Sequence, residues 1–162
     1  MPFLFSATKT KVQLKLGITR LKLLQQKKTS INNQQRREIA TLLEKGKEES
    51  ARIRVEHIIR EDFHIEALEI LELYSEMLLA RFGILENSTH CDVAISEAVN
   101  TIIYAAQISG VKELVDVRDQ LVAKFGLDFA KSAMAPNDLV NARVRSLFKF
   151  ITKMTAYIII VE

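Results

Sequence analysis

Tryptophan is absent from these 162 residues, cysteine occurs once, proline twice and glycine five times. Each shortage removes a class of protein. A lone cysteine, Cys91, cannot build an internal disulfide framework and fits a reducing compartment. The second proline is Pro136, so proline chemistry breaks no helix between Phe3 and Ala135. Turn-formers this sparse, in a chain of one domain's length, predict long uninterrupted elements rather than a sandwich of short strands. The isolated glycines make no phosphate-cradling loop, and no nucleophile elbow or kinase signature is present. Hydrophobic runs are short as well. None approaches the roughly 18 apolar residues of a spanning helix, and Ala156 to Val161 falls far below that length. Phe3 to Ala7 is too short for the apolar part of a secretory signal and has no basic flank. The composition predicts a cytoplasmic protein.

Charge is present but unevenly placed. Residues 1–54 carry thirteen Lys/Arg against four Glu, while 55–99 carry two Arg against ten Asp/Glu. The overall +3 conceals this asymmetry. A strongly basic front third calls for an anionic partner, such as lipid headgroups or an acidic protein. Nucleic acid is disfavoured, because the basic segment has no interleaved aromatics and no nucleic-acid-binding motif.

Hydrophobic periodicity predicts helices throughout. From Thr8 to Glu44, Leu14, Ile18, Leu21, Leu24, Ile31, Ile39 and Leu42 recur at helical steps. Between Gln25 and Arg37 only Ile31 is a large aliphatic, which predicts an arm projecting past the core or awaiting a partner. Gly46 can cap this helix. A second helix runs from Glu48 to Phe82 with two adjacent apolar stripes, and opposite them an acidic row of Asp62, Glu66, Glu69, Glu72 and Glu76. Such a row is ordinarily solvated or partner-facing. Two helices on the order of 50 Å long, joined by so short a turn, must run antiparallel. Ser88 or Thr89 can cap a third helix, Asp92 to Gln107. A fourth spans Val111 to Phe125, a short fifth starts at Leu127, and Asn137–Asp138 can cap a last one through Ile151.

Constellations for catalysis are weak. His57, Glu61 and His64 share a helix face and contain one Glu-x-x-His step. A di-iron bundle needs a second such step, and His57 and His90 are preceded at that spacing by Arg54 and Asn87. Three facial ligands without a fourth donor make a poor zinc site. His90 beside Cys91 is a sequence neighbour, not a positioned base. No catalytic residue, metal ligand or cofactor is therefore expected.

The basic face is the more informative feature. Lys11, Lys15 and Lys22 fall on one helical line and Arg20 and Lys27 on an adjacent one, with Lys28, Arg52 and Arg54 extending the charge. Phe3, Leu4 and Phe5 lie ahead of it; they can wedge into a headgroup layer or form a frayed terminus.

The stretch Ala51–Gly83, reading ARIRVEHIIREDFHIEALEILELYSEMLLARFG, closely resembles the increased sodium tolerance family. Members of that family are ESCRT-III-like and regulate the vacuolar-sorting AAA ATPase. The passages TRLKLLQQKKT, QQRREIATLLEKGKEESARIR, SEAVNTIIYAA and VKELVDVRDQLVAKFG agree with it. The resemblance implies an all-α, ESCRT-III-like fold: a long antiparallel hairpin of the first two helices with shorter helices packed on it. It places this core at residues 1–144, with a divergent C-terminal helix or tail at 145–162. It implies an adaptor or filament subunit in endosomal multivesicular-body sorting and in the membrane scission that ends cell division. The implied partners are type-1 charged multivesicular body proteins, further subunits of homo- or hetero-polymers, and a membrane touched peripherally. Lys11, Lys15, Arg20, Lys22, Lys27, Lys28, Arg52 and Arg54 would then serve assembly or acidic-partner contacts. The family's C-terminal ATPase-binding helix is not matched by VRSLFKFITKMTAYIIIVE. A monomeric module that caps such filaments without polymerising is the alternative reading.

Overall fold

Ser6 starts the first arm. Its hydroxyl accepts the Lys9 amide at 3.3 Å, satisfying one of the amides that open a helix. Its own amide donates to Oε1 of the buried Gln120 at 2.7 Å, tying the N-terminal turn to a later helix. The computed structural model describes residues 4–161, with side chains for 4–157. In order the elements are α1 (Ala7–Glu44), α2 (Glu48–Ala80), α3 (Phe82–Asn87), α4 (Val93–Ala105), α5 (Lys112–Phe125), α6 (Leu127–Met134) and α7 (Ala142–Val161). All are helical.

Gly46 reverses the chain between the arms. At φ 71° it occupies the left-handed region that glycine tolerates best. Its amide donates to the Leu43 carbonyl and that of Lys47 to Leu42, the bond pair of a Schellman motif. The arms then lie antiparallel, and at ~1.5 Å per residue α1 is about 57 Å long. Ile39, Ala51 and Ile58 close the far tip with Leu42 beside them. At the other end the core gathers Leu14 and Leu21 of α1, Leu68, Leu71 and Leu78 of α2, and apolar residues of α4, α5 and α7.

Several boundaries differ from the sequence reading. α2 stops at Ala80, and the bent Arg81 donates from its guanidinium to the Ala94 carbonyl at 2.6 Å. Asp92, not Ser88 or Thr89, caps α4, accepting from the Ala94 amide at 2.8 Å. Asn137 instead forms a local turn to the Leu139 amide. The cap of α7 is Asn141, whose Oδ1 accepts the Val144 amide at 3.0 Å. Pro136 keeps Ala135 extended, which ends α6 at Met134.

Gly17 lies mid-helix where α1 crosses α5. A Cβ built there would meet Glu113 Cβ and Leu114 Cδ2 at 3.6 Å, ordinary van der Waals distance. Gly17→Ala should therefore stabilise the fold by roughly 0.5–1 kcal/mol through helix propensity. Gly17→Leu should destabilise it by wedging the helices apart. Urea midpoints of the two variants on opposite sides of the parent would establish the close crossing.

Candidate interaction surface

The wet middle of α1 does not project freely. It lies along α2 through polar contacts, which corrects the expectation of an arm awaiting a partner. Lys22 Nζ reaches Glu76 at 2.9 Å and Glu72 at 3.6 Å. Gln25 donates to Glu72 at 2.6 Å, and Lys28 Nζ contacts Glu61 at 2.6 Å. Asn32 and Arg36 share the two oxygens of Asp62 at 2.9 and 2.5 Å, and Arg54 pairs with Glu38 near the tip. The inward line at mid-arm thus passes through Asn32, 1% exposed, while Ile31 faces outward at 44%. Much of the acidic row is spent inside the molecule. Glu66 also belongs to it internally, held bidentately by Arg143 of α7 at 2.6 and 2.7 Å.

These pairs are mostly exposed, and such pairs contribute about 0–1 kcal/mol each, so their main effect is to fix register. Lys28–Glu61 is the least exposed. Burial pushes the Glu61 carboxyl up, but the hydrogen bond and charge of Lys28 outweigh it and hold the group below the ordinary range.

The eight basic candidates therefore separate into two sets. Lys22, Lys28 and Arg54 pair across the hairpin, and Arg20 contacts Glu113 of α5 at 3.3 Å. Lys15, Lys27 and Arg52 are exposed, with no carboxylate partner among the described residues, and Lys11 stands 5.2 Å from the Phe82 ring. On α1, the helix that carries Lys15 and Lys27, the structure also exposes Val12, Leu16 and Leu23, at 49%, 51% and 56%. The sequence reading missed these three. Their steps of four and seven residues were the available signal, hidden because the buried stripe of α1 repeats at similar steps.

Phe3 lies outside the described residues. Leu4 is exposed, whereas Phe5 is half-buried with the Lys124 ammonium 4.5 Å from its ring. Phe5 is thus engaged with α5.

Among the described residues no group of three or more His, Cys, Asp or Glu is arranged to hold a metal. Lys28 holds Glu61, and Arg60 lies 2.7 Å from His57 Nδ1, so the helical triad is dispersed. Burial pushes the Cys91 thiol up to about 11, which leaves it protonated at neutral pH. No described helix is long and apolar enough to cross a membrane.

α7 docks on α2 and α4. Asn141 donates to the Tyr74 hydroxyl at 2.9 Å and Glu97 at 3.2 Å, and Phe150 meets the Phe63 ring edge-on at 5.0 Å. Val144, Leu147 and Phe148 are buried, so the expected boundary at 144/145 falls inside a helix already committed to the core. Grooves flank α7 on both sides. One, of about 270 Å³, is lined by Phe150, Met154 and Tyr157 with Glu56 and Lys153. The other, of about 390 Å³, lies among Tyr104, Ile108, Met134 and Phe148 with Lys149 and Lys153 at its rim.

Residues 11–157 match the family described as Ist1, regulator of Vps4 activity in the MVB pathway. An IST1-like protein of Dictyostelium discoideum is 40% identical over 122 residues, 75% of this chain and 33% of the relative. The vacuolar protein sorting-associated protein IST1 of Saccharomyces cerevisiae is 40% identical over 136 residues, 78% of this chain and 46% of its own. The chain thus spans a third to a half of these curated relatives. Among solved structures, the S. cerevisiae Ist1 N-terminal domain in complex with the Did2 MIM motif superposes with a TM-score of 0.78. It is 34% identical and covers 92% of both chains.

Proposed function

The chain belongs to the Ist1 family, and on that premise we propose that it is an ESCRT-III-associated adaptor and filament subunit acting in multivesicular-body sorting and membrane scission. In this reading it works by binding rather than catalysis. It joins type-1 charged multivesicular body proteins in co-polymers and tunes the vacuolar-sorting ATPase. It acts in the cytoplasm, peripherally at endosomal membranes.

The observation that carries the reading is the outward face of α1. Internal pairing leaves Lys15 and Lys27 of α1 without carboxylates among the described residues, alongside exposed Val12, Leu16 and Leu23 of the same helix, while Arg52 extends the exposed positive charge on α2 near the tip. Apolar side chains rimmed by unpaired cations suit an acidic, amphipathic helix of another subunit, where apolar area supplies affinity and charge supplies register. A solvated face needs no such apolar row. The grooves beside α7 offer a second contact, for a short helix with apolar teeth, in keeping with the likeness to a domain solved with a MIM motif.

Mixing the chain with a type-1 charged multivesicular body protein, followed by electron microscopy and sedimentation, tests the proposal. Filaments or coated tubes are expected. Soluble one-to-one complexes would instead support a capping module that does not polymerise, and no interaction would overturn both.

A further inference from the structure

His64 sits where four parts of the chain meet. Its ring stands edge-on to Phe148 of α7, centroids 6.2 Å apart at 69°. Nε2 is buried and has no hydrogen-bond partner. Lys28 of α1 and the Ser109 backbone between α4 and α5 complete its surroundings.

The neighbouring charges are unfavourable to an imidazolium. Lys28 repels it. Glu61, one turn away on α2, attracts it but is already bonded to Lys28 at 2.6 Å. His57 on the same helix is in contact with Arg60. The one charged residue of α4, Glu97, is turned to Asn141. On α7, Arg145 lies 4.7 Å over the Tyr104 ring and Lys149 is exposed, and as donor-only cations neither can accept from the imidazolium. Burial first, then Lys28, lowers the proton affinity of His64, against smaller opposing effects of Glu61 and Ser109.

We propose that His64 is a proton-operated latch for α7. Neutral, its ring completes the seat of Phe148. Charged, it buries a cation near the Lys28 ammonium with Nε2–H unpartnered, the Ser109 backbone offsetting this only in part, and α7 lifts from the hairpin to let water in. A histidine harder to protonate when docked than when free stabilises docking fully above its free value of about 6.5. That contribution is lost as pH falls below this value towards the docked one. The inference rests on the fold alone and is independent of the assembly reading.

Hydrogen exchange of the intact chain, read by mass spectrometry and normalised to intrinsic rates, tests it at about pH 7.5 and about pH 5.5, either side of the free histidine range. Protection of residues 144–152 should fall several-fold at the lower pH while that of α5 holds. The Arg143 contact keeps Glu66 below its ordinary range, so this second anchor of α7 stays charged throughout. His64→Phe, which keeps an aromatic ring against Phe148, should abolish the response; His57→Gln and His90→Gln should preserve it. Equal normalised protection of α7 at both pH values in the parent would overturn the latch, whether or not the variants fold. So would an unchanged response in folded His64→Phe.

Discussion

Leu71→Ala should lower the unfolding free energy by roughly 2–5 kcal/mol, the range for emptying a well-packed leucine site. Leu73→Ala, two residues along the same helix, should change it by less than about 0.5 kcal/mol. Leu71 is fully buried in the main core, whereas Leu73 is 64% exposed. The site at Leu71 should stay open around a smaller side chain, because it belongs to the main core that long helices hold in place. Urea denaturation of both variants measures the difference, with an unchanged denaturant slope showing that native and denatured states are otherwise preserved. Comparable losses at the two positions would mean that α2 is turned differently about its axis.

Lys15→Glu combined with Lys27→Glu should abolish co-assembly and leave helicity unchanged. Both side chains are exposed, and neither meets a carboxylate among the described residues, so reversal breaks no internal pair. It shifts the outward face by four charge units and puts like charges against an acidic partner, which costs several kcal/mol when juxtaposed at an interface. Pairing Lys15→Glu with Lys22→Glu would be a poorer experiment. Lys22 contacts Glu72 and Glu76, so its reversal disturbs the hairpin as well as the surface. Assembly by the Lys15/Lys27 variant should not be rescued by lowering the salt; sedimentation across a salt series checks this.

The hairpin was legible because its signals are local and redundant. Apolar steps, the absence of proline and a single glycine with cations around it all specify two long helices and one reversal. The caps were harder to read. Ser88, Thr89, Asp92, Asn137 and Asn141 are all chemically able to cap, and the choice among them depends on where α4 and α7 meet α2. The pairing of the charges was invisible for a related reason. Basic and acidic rows on successive antiparallel helices can face each other or face outward, and that choice depends on the rotation of each helix. Asn32 shows the consequence: a polar residue took the inward position beside Asp62, and Ile31, the obvious core candidate, was displaced to the surface. The outward apolar row of Val12, Leu16 and Leu23 could be separated from the core row only once that rotation was known. His64 looked like a failed metal ligand, and its contact with Phe148 comes from a helix more than eighty residues later.

Under the proposed function, cations paired across the hairpin fix its register, while unpaired outward cations join it to other subunits. The most direct measurement is sedimentation with a type-1 charged multivesicular body protein, comparing Lys15→Glu/Lys27→Glu with the exchanged pair Arg54→Glu/Glu38→Arg. The account predicts polymer from the exchanged pair, which keeps its internal contact, and none from the outward reversal. Polymer from the outward reversal, or its loss in the exchanged pair at parental stability, would contradict it.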